Sequence, residues 1–342
     1  MNFGLLMPFQ NPPRWARPYP ELYREYLAQI VQAEELGYDT IWLTEHHFDK
    51  DGWSPSLLPL AAGIATRTQR IRIGTFILIL PFHHALRVAE DAATVDILSN
   101  GRLDLGVGKG YRVGEFVGFG ISREERDAQL EEGIGVLRRA WTEERFSFEG
   151  KYYHLTNVSL SPRPVQQPHP PLWIGARGRK AIERAARLGC HLMGTGEVEQ
   201  QQFYDRALEK FSHNPQNFSI AQLRWVYLAE SRERAWDDVE EHLHYLFANA
   251  FPLLKEAGDL PADRAMPEPP SIKEWRKIEP DIPGGVPIVG TPEECIRAIE
   301  RYQRETRVTH LAMGMHLPGL DPTKVMHSME LFAREVMPHF QH

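Results

Sequence analysis

An α/β fold, specifically a (β/α)8 barrel of the TIM type with insertions, is what this sequence of 342 residues predicts. Short apolar runs alternate with amphipathic helical stretches about eight times, the alternation of a parallel sheet with outer helices. The runs are apolar almost throughout, as parallel strands covered on both faces require. No repeat and no linker divides the chain, so 1–342 reads as one domain. A doubly wound open sheet gives a similar alternation, and the count of eight favours closure.

Asn2–Met7 reads as the first strand. A helix follows, with Leu22, Tyr26, Ile30 and Ala33 spaced every three or four positions, and Gly37 stops it. Thr40–Thr44 is the second strand, Leu57–Thr68 a helix and Ile71–Leu80 the third strand. Ala85–Leu98 is helical and Leu103–Val107 is the fourth strand. Leu130, Ile134, Leu137 and Trp141 form one apolar helical stripe. Residues 145–160 look like a β-hairpin insertion, followed by the proline-rich SPRPVQQPHPP loop. Leu172–Gly175, His191–Met193, Gln222–Ala229 and His310–Met315 supply four more strands. Helices are expected at Arg179–Leu188, 199–211, Arg232–Asn249, Pro292–Arg304 and Val325–Val336. Residues 251–286 are rich in Pro, Gly and charge without a sustained period, which suggests a mobile active-site loop.

Composition excludes several classes. With 39 Lys and Arg against 46 Asp and Glu, the net charge of −7 repels nucleic acid and anionic membranes at long range. Only two cysteines occur, Cys190 and Cys295, so a disulfide framework is excluded and a reducing compartment fits. The N-terminus lacks the pattern of a signal peptide, and the short apolar run Phe76–Phe82 is far below the ~20 residues that span a bilayer. A cytoplasmic protein is expected.

The segment Thr44-Glu45-His46-His47-Phe48 lies where the second strand ends, on the face where barrels place their chemistry. Adjacent residues of an extended chain point to opposite sides, so one of His46 and His47 faces the cavity. That geometry, with no HxH or HExxH pattern, argues against a metal site. His83 and His84 are possible pocket wall, with structure the favoured role. Gly106-Val107-Gly108-Lys109-Gly110-Tyr111 lacks the GxGxxG spacing, although its glycines permit close approach of backbone to a flat ligand. Gly175-Ala176-Arg177-Gly178-Arg179 runs from a strand into a helix N-terminus, where free N–H groups and the helix dipole favour an anion. With Lys109 and Arg126 it suggests one basic pocket in an acidic protein.

LGYDTIWLTEHHF, RIGTFILILPFHHALRVAEDAATVDILSNGRLDLGVGKGY, PPLWIGARG and VGTPEECI together resemble the bacterial luciferase-like flavin monooxygenases, over nearly the whole chain. The resemblance implies a barrel that receives reduced FMN (FMNH2) from a flavin reductase and forms a flavin peroxide with O2. It implies that His46 is the catalytic acid/base, that Lys109, Arg126, Arg177 and Gly178 hold the phosphate, and that Phe76, Ile77 and Tyr111 lie against the flavin ring. It further implies a non-proline cis peptide at Phe76–Ile77 and a homodimer packed through outer helices. Departures are Gly108 where the light-emitting subunit has a reactive cysteine, Lys109 in place of an arginine, and bulky Phe76 and Ile77 in place of small residues; they argue against bioluminescence. The expected activity is an FMNH2-dependent monooxygenase acting on a small apolar or carbonyl-containing organic substrate. Competing readings are a coenzyme F420-dependent dehydrogenase or reductase, a flavin-binding protein without turnover, and a barrel metallohydrolase, which the histidine spacing disfavours.

Overall fold

The computed structural model describes residues 1–194, 198–257, 272–278 and 287–340. Its strands are β1 (Asn2–Met7), β2 (Thr40–Leu43), β3 (Arg72–Thr75), β4 (Leu78–Ile79), β5 (Leu103–Gly108), β6 (Phe146–Glu149), β7 (His154–Val158), β8 (Leu172–Gly175), β9 (His191–Gly194), β10 (Ile220–Leu228), β11 (Ile288–Gly290) and β12 (His310–Gly314). Parallel pairing runs from β1 through β2, β3 with its continuation β4, β5, β8, β9 and β10 to β12. β12 pairs back onto β1, with Asn2 opposite His310 and Leu5 opposite Met313, so the barrel is closed. β6 and β7 form the antiparallel hairpin expected at 145–160.

The helices are α1 (Tyr19–Glu35), α2 (Leu57–Ala65), α3 (Ala85–Leu98), α4 (Val113–Phe119), α5 (Arg126–Thr142), α6 (Arg179–Arg187), α7 (Val198–Lys210), α8 (Arg232–Ala257), α9 (Ile272–Trp275), α10 (Pro292–Glu305) and α11 (Pro322–Leu331). The stripe Leu22, Tyr26, Ile30, Ala33 is the buried face of α1, and Gly37, at φ 89°, turns the chain after it. No helix among the described residues is long and apolar enough to cross a membrane.

Three expectations are corrected. The single strand expected at Ile71–Leu80 breaks after Thr75; the Phe76–Ile77 peptide is cis and pairing resumes at β4. The helix expected to end at Asn249 continues through Pro252 to Ala257. Of the loop expected at 251–286, residues 272–275 are also helical, and 258–271 and 279–286 lie outside the described residues. The short α4 and β11 had no counterpart in the sequence reading.

Two cores share the strands. The larger packs the outward strand faces against the helices. The smaller fills the barrel with Leu6, Trp42, Trp173, Met193, Ala221 and Ala312. Barrel interiors are usually filled by branched aliphatic side chains. Here Trp42 takes so much volume that a β-carbon on Gly74 would stand 2.2 Å from its ring, and one on Gly4 2.5 Å from its Nε1.

The long block around Asp96, Ser99 and Arg102 turns out to hold the fold. Arg102 spends its guanidinium on Ser99 O, Thr68 Oγ1, Ile71 O, Ala65 O and Thr68 O. Five N–H groups meet acceptors, which is the full donor capacity of arginine. This clamps the end of α2 to the start of β5, at the N-terminal end of the barrel strands.

Candidate active site

Just past the C-terminal end of β2 the histidine doublet splits, the two rings meeting different partners. Between them and the third βα loop sits Glu45, 2% exposed. Its Oε1 accepts from His47 Nε2 (2.6 Å) and His83 Nε2 (2.9 Å), and its Oε2 from the Ile79 N–H (2.7 Å). Burial works to raise the Glu45 pKa, but these bonds and the nearby His83 outweigh it and hold the group down to about 2. Glu45 is thus a tie between two loops. His47 turns into an aromatic cluster, with ring centroids 4.8 Å from Phe119 and 5.7 Å from Phe82.

His46 points the other way. Its Nδ1 stands 3.0 Å from Oε1 of Glu115 on α4, and that same oxygen accepts the His47 N–H at 3.0 Å. The oxygen that accepts a backbone N–H also accepts from the ring, so the imidazole carries its hydrogen on Nδ1. Nε2 has no partner among the described residues. Trp53 and Tyr111 flank the ring edge-to-face, at 5.0 and 5.8 Å. Burial lowers the His46 pKa; the Glu115 bond opposes the shift and the Arg112 cation adds to it. The result is a neutral imidazole at neutral pH with one free nitrogen.

Arg112 is almost buried, ion-paired with Asp49, and lies over both Trp53 (5.7 Å) and Tyr111 (5.9 Å). Arg177 approaches the Tyr111 ring at 5.8 Å. Tyr111 therefore joins the His46 side of the mouth to the start of α6. On the β3 side, Ile77 fills the space left by glycines: a β-carbon on Gly108 would be 1.8 Å from Ile77 Cδ1, and one on Gly175 3.1 Å. The Gly108 backbone is thus covered by Ile77. Phe76 is half-buried and meets Trp42 edge-on at 5.9 Å.

The expected basic pocket contains an acid. Lys109 Nζ is 3.4 Å from Asp127 Oδ2, and Asp127 Oδ1 is 2.6 Å from Arg184. Arg126 is the first residue of α5, and its Nη1 donates to Arg123 O at 3.0 Å. Gly178 is the N-cap of α6, and a β-carbon there would meet nothing within 4 Å. Arg177 is exposed and has no carboxylate partner among the described residues. Arg179 is turned onto Phe203 at 5.1 Å. His83 is bound to Glu45, and exposed His84 packs on Tyr153 at 5.4 Å; neither approaches His46 among the described contacts.

The structure thus brings His46, Tyr111 and Arg177 together and sets Phe76 and Ile77 on the adjoining wall. Glu115, Arg112 and Trp53 were missed by the sequence reading. The available signal was the charged pair Arg112 and Glu115, three apart on the same helix start, directly after GKGY.

The luciferase-like monooxygenase family model matches residues 1–310. The oxygenase component of the flavin-dependent trigonelline monooxygenase of Acinetobacter baylyi is 31% identical over 224 residues, 63% of this chain and 62% of that protein. The alkanal monooxygenase alpha chain of Photorhabdus laumondii is 24% identical over 361 residues, 99% of this chain and 97% of that protein. The matched stretch covers only 49% and 62% of the length of two of the curated relatives. Among solved structures, monooxygenase RslO1 from Streptomyces bottropensis superposes over the whole of both chains with a TM-score of 0.84 at 28% identity. An F420-dependent secondary alcohol dehydrogenase, at 19% identity and a TM-score of 0.76 over 100% of this chain and 99% of that one, shares the fold.

Proposed function

Because the chain belongs to the luciferase-like monooxygenase family, we propose that it is the oxygenase component of a two-component system, taking up FMNH2 from a separate reductase and transferring one atom of O2 to a small organic substrate. The observation that carries this reading is the neutral His46, its Nδ1 held by buried Glu115 and its Nε2 free, at the catalytic face of the barrel.

The residues present fit the cofactor. Phe76, Ile77 and Tyr111 offer a flat, largely apolar wall for the ring. Gly178 opens an unobstructed helix N-terminus, and Arg177, without an acidic partner among the described residues, supplies a guanidinium for the phosphate. Arg126 opens α5, and Lys109 reaches Asp127 in the first turn of that helix. Reduced FMN supplies the electrons that activate O2. The protein's own work is proton handling and exclusion of water. His46 Nε2 takes or returns a proton at the reacting group, and the Glu115 carboxylate stabilises the imidazolium while it exists. Trp53, Tyr111 and Phe76 keep the surroundings dry.

F420-dependent hydride transfer is the second reading, favoured by relatives on this fold that use that cofactor. Its acidic tail calls for cations beyond the phosphate, and Arg179 is already engaged on Phe203. An anaerobic titration with reduced FMN and reduced F420, followed by oxygen, tests the proposal. FMN is expected to bind more tightly and to yield a transient absorbing species on oxygen mixing. Selective F420 binding without any oxygen-derived species overturns it.

A further inference from the structure

The residues given to the cofactor come from one arc of the barrel mouth: Phe76 and Ile77 after β3, Lys109 and Tyr111 after β5, and Arg177 after β8. The opposite arc, formed by β10, β12 and β1, has no assigned role. Along β10 the inward side chains are Ala221, Leu223 and Trp225, at every second position. Trp225 is the one nearest the mouth and is half-buried. It stands opposite Gly314 of β12, where a β-carbon would come 2.2 Å from its Cε3, so the benzo ring lies across bare backbone. Among the described residues no aromatic ring stacks on it and its indole N–H has no partner. Leu6 of β1 and half-buried Leu223 complete this wall, which carries no charge.

The floor is closed. Trp42 and Trp173, 0% and 2% exposed, meet edge-to-face at 5.8 Å in the barrel interior. An extended alkyl chain therefore finds no shaft along the barrel axis among the described residues. What the described residues set opposite the cofactor arc is an uncharged wall whose largest side chain is an indole. Aromatic faces recognise flat π-systems by offset stacking, with a gain beyond the area buried.

We infer that Trp225 is the stacking platform for the substrate, and that the substrate is a neutral planar aromatic molecule and not a long-chain aliphatic one. The inference rests on the flavin placement proposed above. It is tested by calorimetry on the full-length protein, with and without FMN, titrating 2-naphthol and decanal as probes. 2-Naphthol is expected to bind saturably and at least about tenfold more tightly than decanal. Trp225→Phe, which keeps a ring, should hold the naphthol affinity within a few-fold. Trp225→Leu should weaken it about five- to tenfold, the size of one aromatic contact, with FMN affinity unchanged. Decanal binding as tight as naphthol, or a Trp225→Leu variant with unaltered naphthol affinity, overturns the inference. Loss of FMN affinity in Trp225→Leu also overturns it, by making Trp225 a cofactor wall. Naphthol binding that depends on Trp225 in protein that fails to take FMN keeps the platform and removes only the cofactor reading.

Discussion

One oxygen of Glu115 holds both members of the histidine doublet: Oε1 is 3.0 Å from His46 Nδ1 and 3.0 Å from the His47 backbone nitrogen. A single buried carboxylate thereby fixes the tautomer of one residue and the backbone of the next. Its second oxygen is buried without a partner among the described residues. Glu115→Gln keeps the shape and removes the charge that raises the His46 pKa. The expected result is a fall in kcat of about 10- to 100-fold, or roughly 1.4–2.7 kcal/mol in barrier. FMN affinity should stay within a few-fold. The acid limb of the rate profile should also move to lower pH, because the imidazole then protonates later as pH falls. A lower kcat with an unmoved limb would assign Glu115 a purely structural role.

His46→Ala is expected to keep the fold and flavin binding while lowering substrate oxidation by about 10²–10⁴, the usual cost of one positioned acid/base. Single-turnover mixing of the FMNH2-loaded variant with oxygen and substrate measures it. Turnover within a few-fold of the parent excludes His46 as the proton carrier.

Arg126→Ala and Arg177→Ala are each expected to cost about 1.5–3 kcal/mol of FMN affinity, the worth of a charge-assisted bond to phosphate. Riboflavin, lacking the phosphate, should lose far less. Equal weakening of both ligands would place these arginines against the ring or the fold.

Ile77 and Gly108 share one space, so their substitutions should not be additive. Gly108→Ala alone puts a methyl 1.8 Å from Ile77 Cδ1 and should destabilise by about 1–3 kcal/mol. Ile77→Val removes that Cδ1, so the double variant should recover about 1 kcal/mol or more of the loss. Urea denaturation of the four proteins gives the coupling; simple additivity would show that the two sites relax independently.

Acid should destabilise the protein well above the range of its carboxylates. Burial lowers His316 to about 3 and His310 to about 4, so both are neutral when folded and protonate near 6.5 when unfolded. Their stabilising effect is complete above pH 6.5 and is lost as pH falls toward those lower values. For His316 alone the loss between pH 7 and pH 5 is about 2 kcal/mol. Glu45, held down to about 2, adds a further loss below pH 4.5. Chemical denaturation at pH 7 and pH 5 should show this slope, and His316→Gln should flatten it by about 2 kcal/mol. An unchanged slope in that variant means His316 is protonated in the folded protein.

The barrel and most of its elements were legible in the sequence because each rests on local pattern. A run such as Leu172–Gly175 is strand-like by itself, and the stripe Leu22, Tyr26, Ile30, Ala33 has one apolar face whatever it packs on. The split of His46 from His47 is equally local, being what alternation along an extended chain predicts. What tertiary structure alone decided are relations between distant residues. Glu115 reaches His46 across 69 positions, and Ile77 occupies the place of a side chain at Gly108 on another strand. Neither has a period or a motif, because the energies involved, a desolvated hydrogen bond and the exclusion of two atoms from one volume, exist only once the barrel has closed. Sequence therefore indicated which face of the barrel would carry chemistry and that the two histidines would part, and closure of the barrel decided what each is bound to.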